Sequence, residues 1–85
     1  MLGATITKMA IGYSQQLISD NRAADKRKLG VLLGRVCIKH NISVADVAAY
    51  FSVSRQTVYN WFRGTEVRPH HRELMSRFIS SYRHR

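Results

Sequence analysis

The chain has 85 residues with 14 Lys and Arg against five Asp and Glu, a formal net charge of +9, and 45% hydrophobic and 22% charged residues. That length sets a ceiling of one domain, the composition is that of a chain that folds, and the charge selects a polyanionic partner, nucleic acid before an acidic membrane surface. No apolar run reaches the roughly 18 residues that cross a bilayer, Met1–Ala4 lacks the basic start and apolar stretch of a secretory leader, and the single Cys37 excludes an internal disulfide or a thiol-built zinc site, so a cytoplasmic protein is expected.

Residues 1–20 carry Lys8 and Asp20 and are neutral overall. Ile6, Met9, Ala10, Tyr13 and Leu17 recur at steps of three and four, which predicts a helix from about Thr5 to Ser19 with one apolar face, weakened at Gly12. Ser19-Asp20-Asn21 offers turn and cap chemistry, because short oxygen-bearing side chains satisfy free amides at a helix start. An uncharged amphipathic helix ahead of a complete module can pack on its own domain or bury its stripe in a partner, and association, as part of a homodimer, is the preferred expectation.

Residues 21–42 hold six bases and Asp25, a net +5. Leu29, Leu32, Leu33, Val36 and His40 or Lys39 repeat at helical spacing, with Lys26, Arg27, Lys28 and Arg35 largely off that stripe, so a second helix is predicted here. Gly30 and Gly34 each lower helix propensity by roughly 1 kcal/mol relative to Ala and are read as marks of close approach to a neighbouring helix. Asn41 suits the left-handed conformation that closes many helices.

From Ile42 to Gly64 the pattern sharpens. Ser43 can cap a helix of about two turns whose inward residues are Val44, Val47, Ala48 and Phe51. Ser54 can cap a second one, with Val58, Trp61 and Phe62 buried and Gly64 as its left-handed end. Small Ala48 lets two helices cross at about 90–120°, and Val53 plugs the corner between them. The exposed side of the second helix presents Ser54, Arg55, Gln56, Tyr59, Asn60 and Arg63. Gln and Asn bond bidentately to adenine, Arg to guanine and Ser to several edges in a major groove that admits one helix. Net charge is only +1 over residues 43–64 but +5 and +3 on the two flanks, which suits basic flanks gripping phosphate around a neutral reading element.

These residues, Ala48, the turn Phe51-Ser52-Val53, the segment Ser54-Arg55-Gln56-Thr57-Val58, Trp61 and Gly64, resemble the helix-turn-helix of the phage Cro/C1-type, lambda repressor-like family, over about residues 26–82. The resemblance implies an all-α fold, a helix-turn-helix bundle of four to five helices over residues 22–82; the periodicity adds an N-terminal helix in residues 1–20, and residues 83–85 read as a basic tail. Two positions depart from the family pattern. Ser52 stands where Gly is often found, at a turn position that strains a side-chain-bearing residue. Val44 stands where many relatives carry a Gln that touches the DNA backbone, so that contact is either absent or made by Ser43.

After Gly64, Pro69 suits the first turn of a last helix marked by Leu74, Phe78, Ile79 and Tyr82. Residues 65–70 resemble the family's backbone-facing loop, which makes Thr65, Arg68 and His70 phosphate candidates beside ordinary loop polarity. His70 and His71 are adjacent, about 100° apart on a helix, with no third ligand nearby, so no metal is expected. Cys37 lies on an apolar face without a catalytic constellation, and no Gly-rich phosphate loop exists, so neither an enzyme nor a cofactor is expected. Tyr13, Tyr50 and Tyr82 read as packing residues.

The expectation is a sequence-specific, double-stranded DNA-binding transcriptional regulator whose helix 54–63 enters the major groove. Base reading falls to Arg55, Gln56 and Asn60, with Ser54 reading or positioning. Backbone neutralisation falls to Lys26, Arg27, Lys28, Arg63 and Arg68, with Tyr59 on phosphate or a thymine methyl. The rival readings are a small-terminase-like or recombination accessory subunit and a basic adaptor for an acidic protein. No small-molecule substrate and no membrane partner are expected.

Overall fold

The computed structural model describes residues 13–83, which contain five helices and no strand: α1 (Gln15–Ala23), α2 (Leu29–Lys39), α3 (Val44–Phe51), α4 (Arg55–Arg63) and α5 (Pro69–Arg83). The side chains of Ser14, Ser43 and Ser54 start α1, α3 and α4, each accepting a hydrogen bond from the amide three residues on at 3.0–3.1 Å. Pro69 opens α5, where no amide is needed.

Three successive helices end in one way. The amides of Ile42, Val53 and Thr65 reach back to the carbonyls of Cys37, Ala48 and Asn60 at 2.9–3.0 Å. The residue before each of those amides, Asn41, Ser52 and Gly64, has positive φ. This left-handed closure satisfies carbonyls that a helix end leaves open and turns the chain sharply.

The first helix departs from its sequence expectation. Ser14 is extended, at φ −76° and ψ 160°, and caps Leu17, so no single helix runs from Thr5 to Ser19; the part of that expectation on residues 1–12, with Ile6, Met9 and Ala10, lies outside the described residues. Ser19, Asp20 and Asn21 form no turn but lie within α1. Tertiary bonding overrides their local preference: Asn21 is 3% exposed and its amide donates to the carbonyls of Phe62 at 2.8 Å and Val31 at 3.2 Å. The turn comes later, where Asp25 accepts from the Arg27 amide at 2.9 Å. Lys26, Arg27 and Lys28 therefore precede α2 and do not belong to it.

The core gathers Leu17, Leu33, Cys37, Val47, Phe51, Val58, Trp61, Phe62, Met75 and Ile79. On α2 the fully inward positions are Gly30, Val31, Leu33, Gly34 and Cys37, while Leu29, Leu32 and Val36 are half-buried and Lys39 and His40 exposed. The predicted stripe is thus rotated, because α2 has helices on more than one side and its two glycines lie flat against α4. A Cβ on Gly30 would stand 2.7 Å from the Trp61 carbonyl oxygen, and one on Gly34 2.9 Å from Phe62 Cγ. On α5 Met75 and Ile79 are buried, Phe78 and Tyr82 half-buried and Leu74 exposed. Tyr13 and Leu17, expected on an association face, are buried against their own chain, and the Tyr13 hydroxyl donates to the Ile42 carbonyl. Tyr50, expected to pack, is 52% exposed, though its ring lies edge-on to Phe51 at 5.1 Å.

Candidate nucleic-acid interface

α4 is held on its inner side by Val58, Trp61 and Phe62, all at most 3% exposed. Phe51 of α3 meets Trp61 edge to face at 5.7 Å, which locks the two short helices across their turn of Ser52, Val53 and Ser54. At 100° per residue the side opposite that anchor is centred on Gln56, Asn60 and Arg63, while Arg55, in the first turn, lies about 100° round from that centre beyond Tyr59. All four are exposed.

Gln56 Nε2 donates to Asn60 Oδ1 at 3.0 Å. The pair leaves the Gln56 carbonyl oxygen as acceptor and the Asn60 amide as donor, side by side one helical turn apart. Ser54 is exposed, but its hydroxyl oxygen caps Thr57 and lies 3.0 Å from Thr57 Oγ1, which makes it a positioning group.

Beyond α4, Asn60, Thr65, Arg68 and His70 line one cleft of about 370 Å³, with Thr57 and the Trp61 and His71 rings on its walls. Four residues expected at the interface are thereby brought together. Lys28 reaches the same rim by pairing with Glu66, and this ion pair holds the Glu66 carboxyl below its usual range. Arg27 clasps Asp25 through two contacts of 3.1 Å, which lowers that carboxyl likewise, and Arg63 pairs with Asp20 at 3.1 Å. Arg55, Arg68 and Lys26 are exposed.

Lys26 and Arg27 do not line the cleft, and two further expected residues stand apart from it. Ser43 is half-buried at the start of α3 with its hydroxyl accepting from Asp46, outside the cleft. Tyr59 is half-buried against the core. Sequence reasoning assigned no contact at this site to Thr57, Asp20 or Glu66, and did not foresee the packing of His71. His71 packs against Trp61 at 5.4 Å and Phe51 at 6.4 Å, and loss of solvation, then the neighbouring His70 charge, pushes its pKa down from 6.5. The only advance signal for Glu66 was a carboxylate inside an otherwise basic loop.

The chemistry is that of hydrogen bonding and charge. Burial pushes the Cys37 thiol up to about 12, which keeps it protonated. Among the described residues no group of three His, Cys, Asp or Glu could hold a metal, and no helix is long and apolar enough to cross a membrane. Compared with known protein families, curated sequences and solved structures, the chain matches none.

Proposed function

We propose that the protein is a sequence-specific double-stranded DNA-binding regulator of transcription, of the Cro/repressor-like helix-turn-helix kind, with α4 as the helix that reads the major groove. The observation that carries this reading is the division of α4 into a buried apolar side and an exposed side made of Gln56, Asn60 and Arg63, with Arg55 exposed in its first turn. The nine residues of α4 make a rod about 13 Å long, and a helix with its side chains is about 10–12 Å across, which matches a groove about 12 Å wide.

The Gln56–Asn60 bond supports a defined mode of reading. It aligns one acceptor and one donor as a unit, the complement of the donor and acceptor on the major-groove edge of adenine. Arg55 is suited to guanine. Thr65, Arg68, His70 and Lys28, gathered on one side of α4, are suited to the phosphates flanking the site. One short helix offers few base contacts, so binding as a homodimer to two half-sites about 34 Å apart follows.

Selection of bound sequences from a random duplex pool at physiological salt tests the reading. Gln56→Ala should alter the preferred bases at one or two positions, costing roughly 1–3 kcal/mol of discrimination, while Lys28→Ala weakens all sequences alike. No enrichment from the pool, or an altered preference from Lys28→Ala with none from Gln56→Ala, overturns it. Sedimentation as a strict monomer with and without the selected duplex overturns the dimeric part.

A further inference from the structure

The geometry points to a second binding face, on the side of α2 turned away from α4, that docks an acidic amphipathic helix of a partner protein. Gly30 and Gly34 place one side of α2 against Trp61 and Phe62. At 100° per residue Leu32, Arg35, Val36 and Lys39 fall on the opposite side. Leu32 and Val36 are only half-buried there. The base-reading row of α4 also points away from α2, so the two faces lie back to back across the domain.

Two grooves flank this side of α2. One of about 250 Å³ runs between α1 and α2 over Ile18 and Ile38, and the other of about 420 Å³ runs between α2 and α5 over Leu32, Val36 and Ile79. Arg35 and Lys39 line both, so they form a cationic crest between two apolar floors. Arg22 and Arg83 stand at the outer edges, and no Asp or Glu lines either groove. Arg35 is fixed in place by bonds to the carbonyls of Arg22 at 3.0 Å and Asn21 at 3.4 Å, where it also closes the end of α1.

Charge and shape select the occupant. Four cations with no carboxylate among them call for an anionic partner. The apolar floor then demands side chains that insert, as the i, i+3, i+4 and i+7 residues of a helix do. A phosphate backbone would leave the floor unused. A lipid surface is met by apolar groups that protrude, whereas these are recessed between helices. A second copy meeting this face with the same face would set Arg22, Arg35, Lys39 and Arg83 against identical cations.

The test uses the full chain without DNA, so its failure is separate from that of the DNA-binding reading. Two fluorescein-labelled peptides of one composition are compared by anisotropy at physiological salt: a helix with a Leu stripe flanked by Glu, and a scramble that destroys the stripe. Arg22→Gln/Lys39→Gln changes two exposed residues of this face, and Arg72→Gln/Arg77→Gln removes the same charge elsewhere, with folding checked by thermal melting. The striped peptide should bind about tenfold more tightly than the scramble. It should lose about tenfold on Arg22→Gln/Lys39→Gln and nothing on Arg72→Gln/Arg77→Gln. Equal binding of both peptides, equal loss in both variants, or no binding overturns the proposal. So does co-sedimentation with phosphatidylglycerol vesicles without peptide binding, or self-association that Arg22→Gln/Lys39→Gln abolishes.

Discussion

Asn21 ties three helices together through one amide group. Its two donors go to Val31 of α2 and Phe62 of α4, and the second of these satisfies a carbonyl in the last turn of α4 that the helix itself leaves open. Nothing larger than hydrogen fits at Gly34 beside it, since a Cβ there would stand 2.5 Å from Asn21 Nδ2 and 2.9 Å from Phe62 Cγ. Gly34→Ala therefore sets two effects in opposition. Alanine gains about 1 kcal/mol of helix propensity, but displacing the buried amide from its carbonyls costs about 1–3 kcal/mol and overpacking a further 1–3 kcal/mol. The second pair wins, and urea denaturation should show a net loss of about 2 kcal/mol. A variant as stable as the parent would mean that α1 carries no weight in the fold.

At the scale of the element, the left-handed closures decide where helices stop, and they show which parts of the structure were legible in the sequence. Asn41, Ser52 and Gly64, the caps Ser43 and Ser54, the buried Ala48 and Trp61, and Pro69 at the start of α5 could all be read, because each is a local rule acting within a few residues. The path of α1 could not, because Asn21 finds its partners ten and 41 residues away. The ion pairs Lys28–Glu66 and Arg63–Asp20 span comparable distances along the chain and were hidden for the same reason. At Ser52, with φ 57° and ψ 47°, the side chain is exposed and the left-handed backbone costs it about 1–2 kcal/mol. Glycine avoids that strain at some entropic cost, so Ser52→Gly should stabilise by roughly 0.5–1 kcal/mol and raise the melting temperature by a few degrees. No gain on thermal unfolding would show that the turn is not strained. The start of α5 supplies a pH dependence. His71 faces the Phe51 and Trp61 rings with the His70 and Arg68 charges nearby, and its folded pKa lies below 6.5. As pH falls past 6.5 the unfolded chain takes up a proton that folded His71 refuses. Its stabilising contribution is thus full above that pH and lost as pH falls to the lowered value. Melting scans between about pH 7.5 and 5 should show a shallower acid loss for His71→Gln than for the parent, and parallel curves would refute the assignment.

For the molecule as a whole, the 14 cations are not all free to meet a partner. Three of the five carboxylates, Asp20, Asp25 and Glu66, are paired with Arg63, Arg27 and Lys28, all cations expected to meet phosphate. Exposed pairs of this kind contribute little to folding, so under the proposed function their main effect falls on binding, where each would be exchanged for a phosphate contact. Glu66 matters most, because it lines the cleft beside Thr65, Arg68 and His70 and would set a negative charge against the DNA backbone. Glu66→Gln keeps the side chain's size, removes that repulsion and releases Lys28. If DNA binding is the function, the variant should bind duplex several-fold more tightly at low salt, and the slope of log affinity against log salt should steepen by about one. Its preferred sequence should stay that of the parent, since Glu66 is not part of the row proposed to read bases. A titration across salt concentrations separates these outcomes. An unchanged slope would mean that Lys28 does not face phosphate, whereas a changed sequence preference would place Glu66 itself against the bases.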